Sequence, residues 1–99
     1  MLVHTVFFWL KNPDSTTDHQ ALKAGLNQLR KISEIKQSWV GVAANTNRAV
    51  IDSSYNLSLT FVFENPADQD IYQTHPDHLA FVANCSPLWE RVQVYDVVE

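Results

Sequence analysis

The chain has few glycines and prolines, one cysteine and no excess of positive charge. Two glycines and four prolines in 99 residues are too few for a low-complexity sequence, and a 45% hydrophobic share is too high for intrinsic disorder. The single cysteine, Cys85, excludes an intrachain disulfide. A net charge of −4 disfavours a nucleic-acid or anionic-membrane surface. The length predicts one folded domain over residues 1–99.

Long apolar runs and leader-like segments are also missing. A run such as Val6–Leu10 is far shorter than the ~20 residues that cross a bilayer, and no charged segment followed by a long apolar stretch opens the chain. No phosphate-binding loop, nucleophile elbow or paired-cysteine metal motif is present. We therefore expect a cytoplasmic protein that needs no cofactor and binds neither membrane nor nucleic acid.

Hydrophobic periodicity predicts four strands and three helices. Val, Phe and Trp predict a first strand over Leu2–Leu10, apolar on both faces. Leucines at three- and four-residue steps predict a helix over 17–33, capped by Thr17. Further strands are predicted over 39–44, 55–64 and 92–98, a polar surface loop over 45–54, and helices over 66–73 and 76–89, which Pro76 separates.

This order, β-α-β-β-α-β, is the split βαβ or ferredoxin-like arrangement, an α+β fold with a four-stranded antiparallel sheet. The most apolar strands, the first and third, take its centre. Helices cover only one face of such a sheet. The other face would expose Val3, Phe7, Trp9, Tyr95 and Val97, or the alternate set, which is more apolar surface than monomers usually tolerate. We therefore expect a homodimer in which two sheets pack face to face.

Three stretches carry a more specific pattern. They are His4 in the first strand, Tyr72–Phe81 with its His-Pro-x-His sequence, and the closing Val94–Val97. On these residues the chain resembles the stress-responsive α/β-barrel (Dabb) domain family along nearly its whole length. The resemblance implies a dimeric ferredoxin-like barrel with the sheets inside and the helices outside.

The resemblance also implies site residues. A distantly similar family member, the plant olivetolic acid cyclase, closes a linear polyketide by an aldol reaction, with a tyrosine and a histidine as its proposed acid-base pair. Those positions fall on Tyr72 and His78 here, and the family's first-strand histidine falls on His4. The cyclase's third-strand histidine is replaced by Leu57 in this chain.

The residues themselves allow a chemical and a structural interpretation of each side chain. His78 lies in the first turn of its helix, where the dipole disfavours positive charge, so its ring should be neutral and able to accept a proton. Alternatively, it bonds the backbone and packs against Val82. His4 lies among apolar neighbours and needs either a hydrogen-bond partner or a cavity. Tyr72 can position a substrate or share the proton, or its hydroxyl can simply lie at the surface.

Other candidates carry weaker signals. His75 precedes Pro76 and is expected at a helix cap, with a possible part in ligand binding. His75 and His78 have a spacing that could serve a metal with Asp77 or His4, but without a clear third ligand we predict no metal site. Three aromatic residues and the cysteine are expected in the core: Trp39, Phe81, Trp89 and Cys85.

The leading hypothesis is a homodimer that binds a small, largely apolar organic ligand in a cavity between sheet and helices. If it is an enzyme, the expected chemistry is a cofactor-independent cyclisation, lyase or isomerase reaction, with His78 as base, Tyr72 as acid or oxyanion donor and His4 in support. One alternative is a non-catalytic structural or stress-linked interaction dimer. A further alternative, from fold analogy alone, is a monooxygenase-like enzyme.

Overall fold

A computed structural model describes all of residues 1–99. Its elements are β1 (Leu2–Leu10), α1 (Thr16–Leu29), β2 (Gln37–Gly41), β3 (Leu57–Phe63), α2 (Pro66–Thr74), α3 (Pro76–Cys85) and β4 (Trp89–Val98), with a turn of 3-10 helix at Ser86–Leu88. The strands form one antiparallel sheet in the order β2-β3-β1-β4. The predicted ferredoxin-like α+β fold, with β1 and β3 at its centre, is confirmed.

The predicted bounds of α1 are wrong at both ends. Ser15 rather than Thr17 caps the helix, because the Ser15 hydroxyl accepts a hydrogen bond from the backbone N–H of Asp18 at 3.1 Å. The helix ends at Leu29, and Arg30 then donates to the Ser38 hydroxyl at 2.9 Å. Arg30 therefore ties the end of the helix to β2.

The end of the chain also differs from the prediction. α3 stops at Cys85, and the 3-10 turn that contains Pro87 leads directly into β4. β4 begins at Trp89 rather than at residue 92, because its first residues already pair with the end of β1. The start of α2 is as predicted, with the Asn65 side chain accepting from the backbone N–H of Asp68 at 2.9 Å.

One side of the sheet, which we call the inner face, packs against the helices. Alternate residues of β1 and β3 point to this side, and α1 covers them with Leu22, Leu26 and Leu29, all at most 1% exposed. The inner face contains one polar exception. His4 is only 4% exposed and is the sole buried polar residue of the protein, which places it inside the core layer.

The opposite side of the sheet, the outer face, has no helix over it. Trp39, Tyr95 and Val97 are 56%, 57% and 61% exposed there, so the predicted uncovered apolar face is confirmed. Trp39 was expected in the core, which is wrong. It pairs with Thr60, which itself pairs with Thr5, so its side chain shares their outward direction.

The loop 42–56 joins β2 to β3 and ends against the outer face. Trp9 Nε1 donates to the Ser54 hydroxyl at 2.9 Å, and the Tyr55 ring lies 4.7 Å from that of Phe7. Arg91 stacks over Trp9 at 4.1 Å. The structure contains no helix with the length and apolar character that a membrane span requires.

Candidate functional site

A cavity of about 150 Å³ opens between α2, α3 and the inner face of the sheet. Nine of its twelve lining residues are hydrophobic, among them Phe81, Val82 and Trp89. Val92 and Val94 of β4 form its open side and are 41% and 45% exposed. His4, Tyr72 and His78 all line this cavity, so the structure brings together three of the four predicted site residues.

His4 enters the cavity wall from β1. It lies directly opposite Asp96 of β4 in the strand register, and its Nδ1 donates to Asp96 Oδ1 at 2.5 Å. The Gln69 side-chain amide of α2 donates to the other carboxylate oxygen at 3.2 Å. With the proton on Nδ1, the other ring nitrogen, Nε2, is a proton acceptor. No fully buried polar atom of the protein lacks a partner, so this unpartnered Nε2 has to border open space.

Tyr72 projects from α2 into the same cavity. Its side chain is 1% exposed and lies against Phe61, Phe63 and His4, with ring centroids 5.8, 5.2 and 5.9 Å away. The interpretation in which its hydroxyl lies at the surface is therefore wrong. The hydroxyl has no protein partner and, like His4 Nε2, has to border the cavity. Burial raises the pKa of Tyr72, so the hydroxyl stays protonated and can donate a hydrogen bond at neutral pH.

His78 faces the cavity from the first turn of α3, with its ring 4.6 Å from that of Tyr72. Its Nδ1 donates to the backbone carbonyl of Gln73 at 3.0 Å, which leaves Nε2 as an acceptor. Burial lowers the pKa of His78, and the nearby His4 adds to that effect, while the bond to Gln73 opposes it. Desolvation is therefore the main cause that holds the ring neutral, a neutrality predicted above from its place at the helix terminus.

His75 lies apart from the other three. It is the N-cap of α3, where its Nδ1 accepts a hydrogen bond from the backbone N–H of Asp77 at 3.0 Å. Its backbone is extended, as a residue before proline requires. The predicted cap role is confirmed, and His75 does not line the cavity. No three His, Cys, Asp or Glu side chains converge in a metal-binding group.

Two residues of the site, Asp96 and Gln69, were missed from the sequence. Asp96 had a signal, because from residue 92 onward the other residues on its side of β4 are all valines: Val92, Val94 and Val98. An acid in such a row needs a partner across the strand pair. Gln69 had no signal, since nothing in the sequence distinguishes it from other polar residues of α2.

Comparison with solved structures gives the same fold over nearly the whole chain. A Dabb family protein from Mesorhizobium loti is 25% identical with a TM-score of 0.81, covering 99% of this chain and 95% of that one. A dimeric ferredoxin-like protein of unknown function from Thermobifida fusca is 18% identical, with a TM-score of 0.79 and coverage of 99% and 90%. A hydroxynitrile lyase from Passiflora edulis is 23% identical, with a TM-score of 0.79 and coverage of 99% and 92%.

The sequence comparisons agree with the structural ones. No curated protein matches the chain significantly. The family model of the Stress responsive A/B Barrel Domain, however, matches residues 2–99. This match spans β1 through β4 and includes every residue that lines the cavity. The chain therefore belongs to the stress-responsive A/B barrel (Dabb) domain family.

Proposed function

We propose that this protein binds a small, largely apolar organic molecule in the cavity and acts on it by cofactor-independent acid-base chemistry. One observation carries the proposal. Three polar atoms without protein partners, His4 Nε2, Tyr72 Oη and His78 Nε2, border a cavity whose other lining residues, apart from Gln73, are apolar. Unsatisfied polar groups at such a wall are costly unless a ligand or water bonds them, and convergent groups of this kind mark binding sites.

The volume of the cavity limits the size of the ligand. A 150 Å³ cavity lined by apolar side chains, as in an engineered lysozyme, accommodates a molecule such as benzene. The cavity here is about 150 Å³ and is open beside Val92 and Val94. We therefore expect a ligand with a compact ring or a short branched chain inside and any longer substituent directed along β4. A nucleotide or a sugar would leave too many polar groups unbonded here.

The chemistry follows from the protonation states. A neutral imidazole can take a proton from a carbon next to a carbonyl group, and the Tyr72 hydroxyl can donate a hydrogen bond to the carbonyl oxygen as negative charge develops there. The apolar wall strengthens both interactions by excluding water. Cyclisation, lyase and isomerase reactions of carbonyl compounds all use this step, and none of them needs a bound cofactor.

The test is a binding screen read by nuclear magnetic resonance. Small ring ketones and aromatic aldehydes are added to the wild-type protein, to Tyr72→Phe and to His78→Gln, with His19→Gln on α1 as a control outside the cavity. We expect at least one compound to shift cavity resonances in the wild type and in His19→Gln, with weaker binding in the two cavity variants. If the cavity substitutions only lower the melting temperature and no compound binds, the residues are structural and the non-catalytic dimer is favoured.

We also propose that the outer face is a homodimer interface. The exposed Trp39, Tyr95 and Val97 and a hollow of about 210 Å³ lined by Phe7 and Trp9, among others, lie on this side of the sheet. Covering several hundred Å² of apolar surface per chain would contribute on the order of 10 kcal/mol before association costs of similar size. Sedimentation at micromolar concentration tests this, and a stable monomer would contradict it.

A further inference from the structure

The two histidines of the cavity differ in the group that accepts the hydrogen bond from their Nδ1 atom. His4 donates from Nδ1 to a carboxylate, Asp96, at 2.5 Å, whereas His78 donates from Nδ1 to a neutral backbone carbonyl, that of Gln73, at 3.0 Å. Both rings then present Nε2 to the cavity. A hydrogen bond to a carboxylate stabilises the ring that becomes positively charged, and a bond to a carbonyl does so much less.

Two secondary-structure elements, β1 and α2, position the Asp96 side chain. The register of β1 and β4 sets it opposite His4, and Gln69 of α2 donates to its second oxygen at 3.2 Å. One carboxylate oxygen therefore accepts a hydrogen bond from the imidazole, and the other accepts one from a side chain of α2. The Asp96 side chain is 42% exposed, so water still reaches its carboxylate, while the His4 ring beside it is nearly inaccessible.

We propose that His4, oriented by Asp96, is the base that receives the proton, and that His78 stays neutral and orients the substrate as a hydrogen-bond acceptor. This inference rests on the proposed function and deepens it. It gives His4 the role that the family resemblance implies for His78. In the step, the substrate C–H bond breaks and the proton forms an N–H bond at His4 Nε2. The C–H electron pair forms a carbon–carbon double bond, and the π pair of the carbonyl group moves onto its oxygen, to which Tyr72 donates a hydrogen bond. Asp96 touches no substrate and is a positioning residue.

The surroundings of the two rings support this division. The titratable groups that face His4 are Asp96 from β4, Tyr72 from α2 and His78 from α3, while β3 contributes apolar rings, those of Phe61 and Phe63. Of these, only Asp96 has a carboxyl group, and burial raises the pKa of Tyr72 and keeps its hydroxyl protonated. His78 faces Tyr72, Phe81 and His4, and no carboxylate. A proton on His4 would therefore further disfavour a second proton on His78.

The test is a nuclear magnetic resonance titration of the imidazole nitrogens in the ligand-free protein. We expect both rings to carry the proton on Nδ1 at high pH, and His78 to gain its second proton only below pH 6.5, because burial lowers its pKa. Asp96→Asn keeps a hydrogen-bonding group but removes the charge, and it should lower the protonation midpoint of His4 by about one pH unit or more. Asp77→Asn is the matched control, since Asp77 lies 3.9 Å from His75 and outside the cavity.

The outcomes separate this inference from the proposed function. A His4 midpoint that stays unmoved in Asp96→Asn would overturn the assignment whether or not a ligand binds. If Asp96→Asn lowers the His4 midpoint but no carbonyl compound binds in the screen, the proposed function fails and the inference about catalysis fails with it. With a bound compound, Asp96→Asn should move the pH profile of turnover to lower pH, whereas a merely structural Asp96 would change only stability.

Discussion

The two faces of the sheet both carry apolar side chains, but only one of them is covered by helices of the same chain. Three helices cover the inner face. Its only buried polar residue, His4, forms a hydrogen bond with Asp96. The outer face carries polar threonines, stacked aromatic rings and an arginine, and no element of the chain covers it. The inner face therefore forms the core of the monomer and contains the cavity, while the outer face is the surface on which we propose that a second molecule packs.

The largest effect is expected from removing a ring of the inner face. Phe61 is fully buried between Tyr72 and the core. Phe61→Ala should lower the free energy of unfolding by about 3–5 kcal/mol, because the cavity it leaves cannot collapse. Urea denaturation measures this. A loss below about 1 kcal/mol would show that the inner face is loosely packed, and the distinction between the faces would disappear.

Association should be the next largest effect, and it concerns the outer face alone. Tyr95→Glu places a charge on the proposed interface and should weaken dimerisation more than about tenfold, which corresponds to about 1.4 kcal/mol. Val94→Glu introduces the same charge one residue away, on the other side of β4. Sedimentation should show that only Tyr95→Glu dissociates the dimer. Equal effects from both substitutions would contradict the assignment of the interface to the outer face.

Tyr72→Phe should affect function without affecting the fold. The hydroxyl has no protein partner, so its removal should change the free energy of unfolding by less than about 0.5 kcal/mol. Binding of a carbonyl compound should weaken several-fold, since the ligand loses its hydrogen-bond donor. Paired melting and titration experiments measure both quantities. A large loss of stability with unchanged binding would mean that the hydroxyl is structural.

The smallest effect expected is a pH dependence of stability from His78. Its pKa is lowered in the folded state, so as pH falls below the unfolded value of 6.5 the unfolded chain binds the proton first. The free energy of unfolding therefore decreases from about pH 7 down to the folded pKa and then levels off for this group. His78→Gln should flatten this slope, and His19→Gln should not. An unchanged slope in His78→Gln would contradict the desolvated site.

Much of the fold could be predicted because strand and helix periodicities are local signals. β1 and the start of α2 depend on neighbouring residues only, and both are confirmed. Trp39 was misplaced because the side chain's direction in an edge strand is set by pairing with Thr60, not by its own neighbours. The sequence identified three candidate site residues, His4, Tyr72 and His78. Asp96 was missed, because its contact with His4 depends on the register between β1 and β4. Long-range pairing thus decides which polar residues form the site.

The three tryptophans allow one measurement to compare the two faces directly. Trp89 lines the cavity, whereas Trp9 and Trp39 lie on the outer face, and each gives a separate indole N–H resonance. On addition of a small carbonyl compound that binds, we expect the Trp89 resonance to shift and the other two to stay in place. On dilution, we expect Trp9 and Trp39 to shift and Trp89 to stay. A ligand that moves Trp9 or Trp39 and leaves Trp89 unchanged would contradict a ligand site on the inner face.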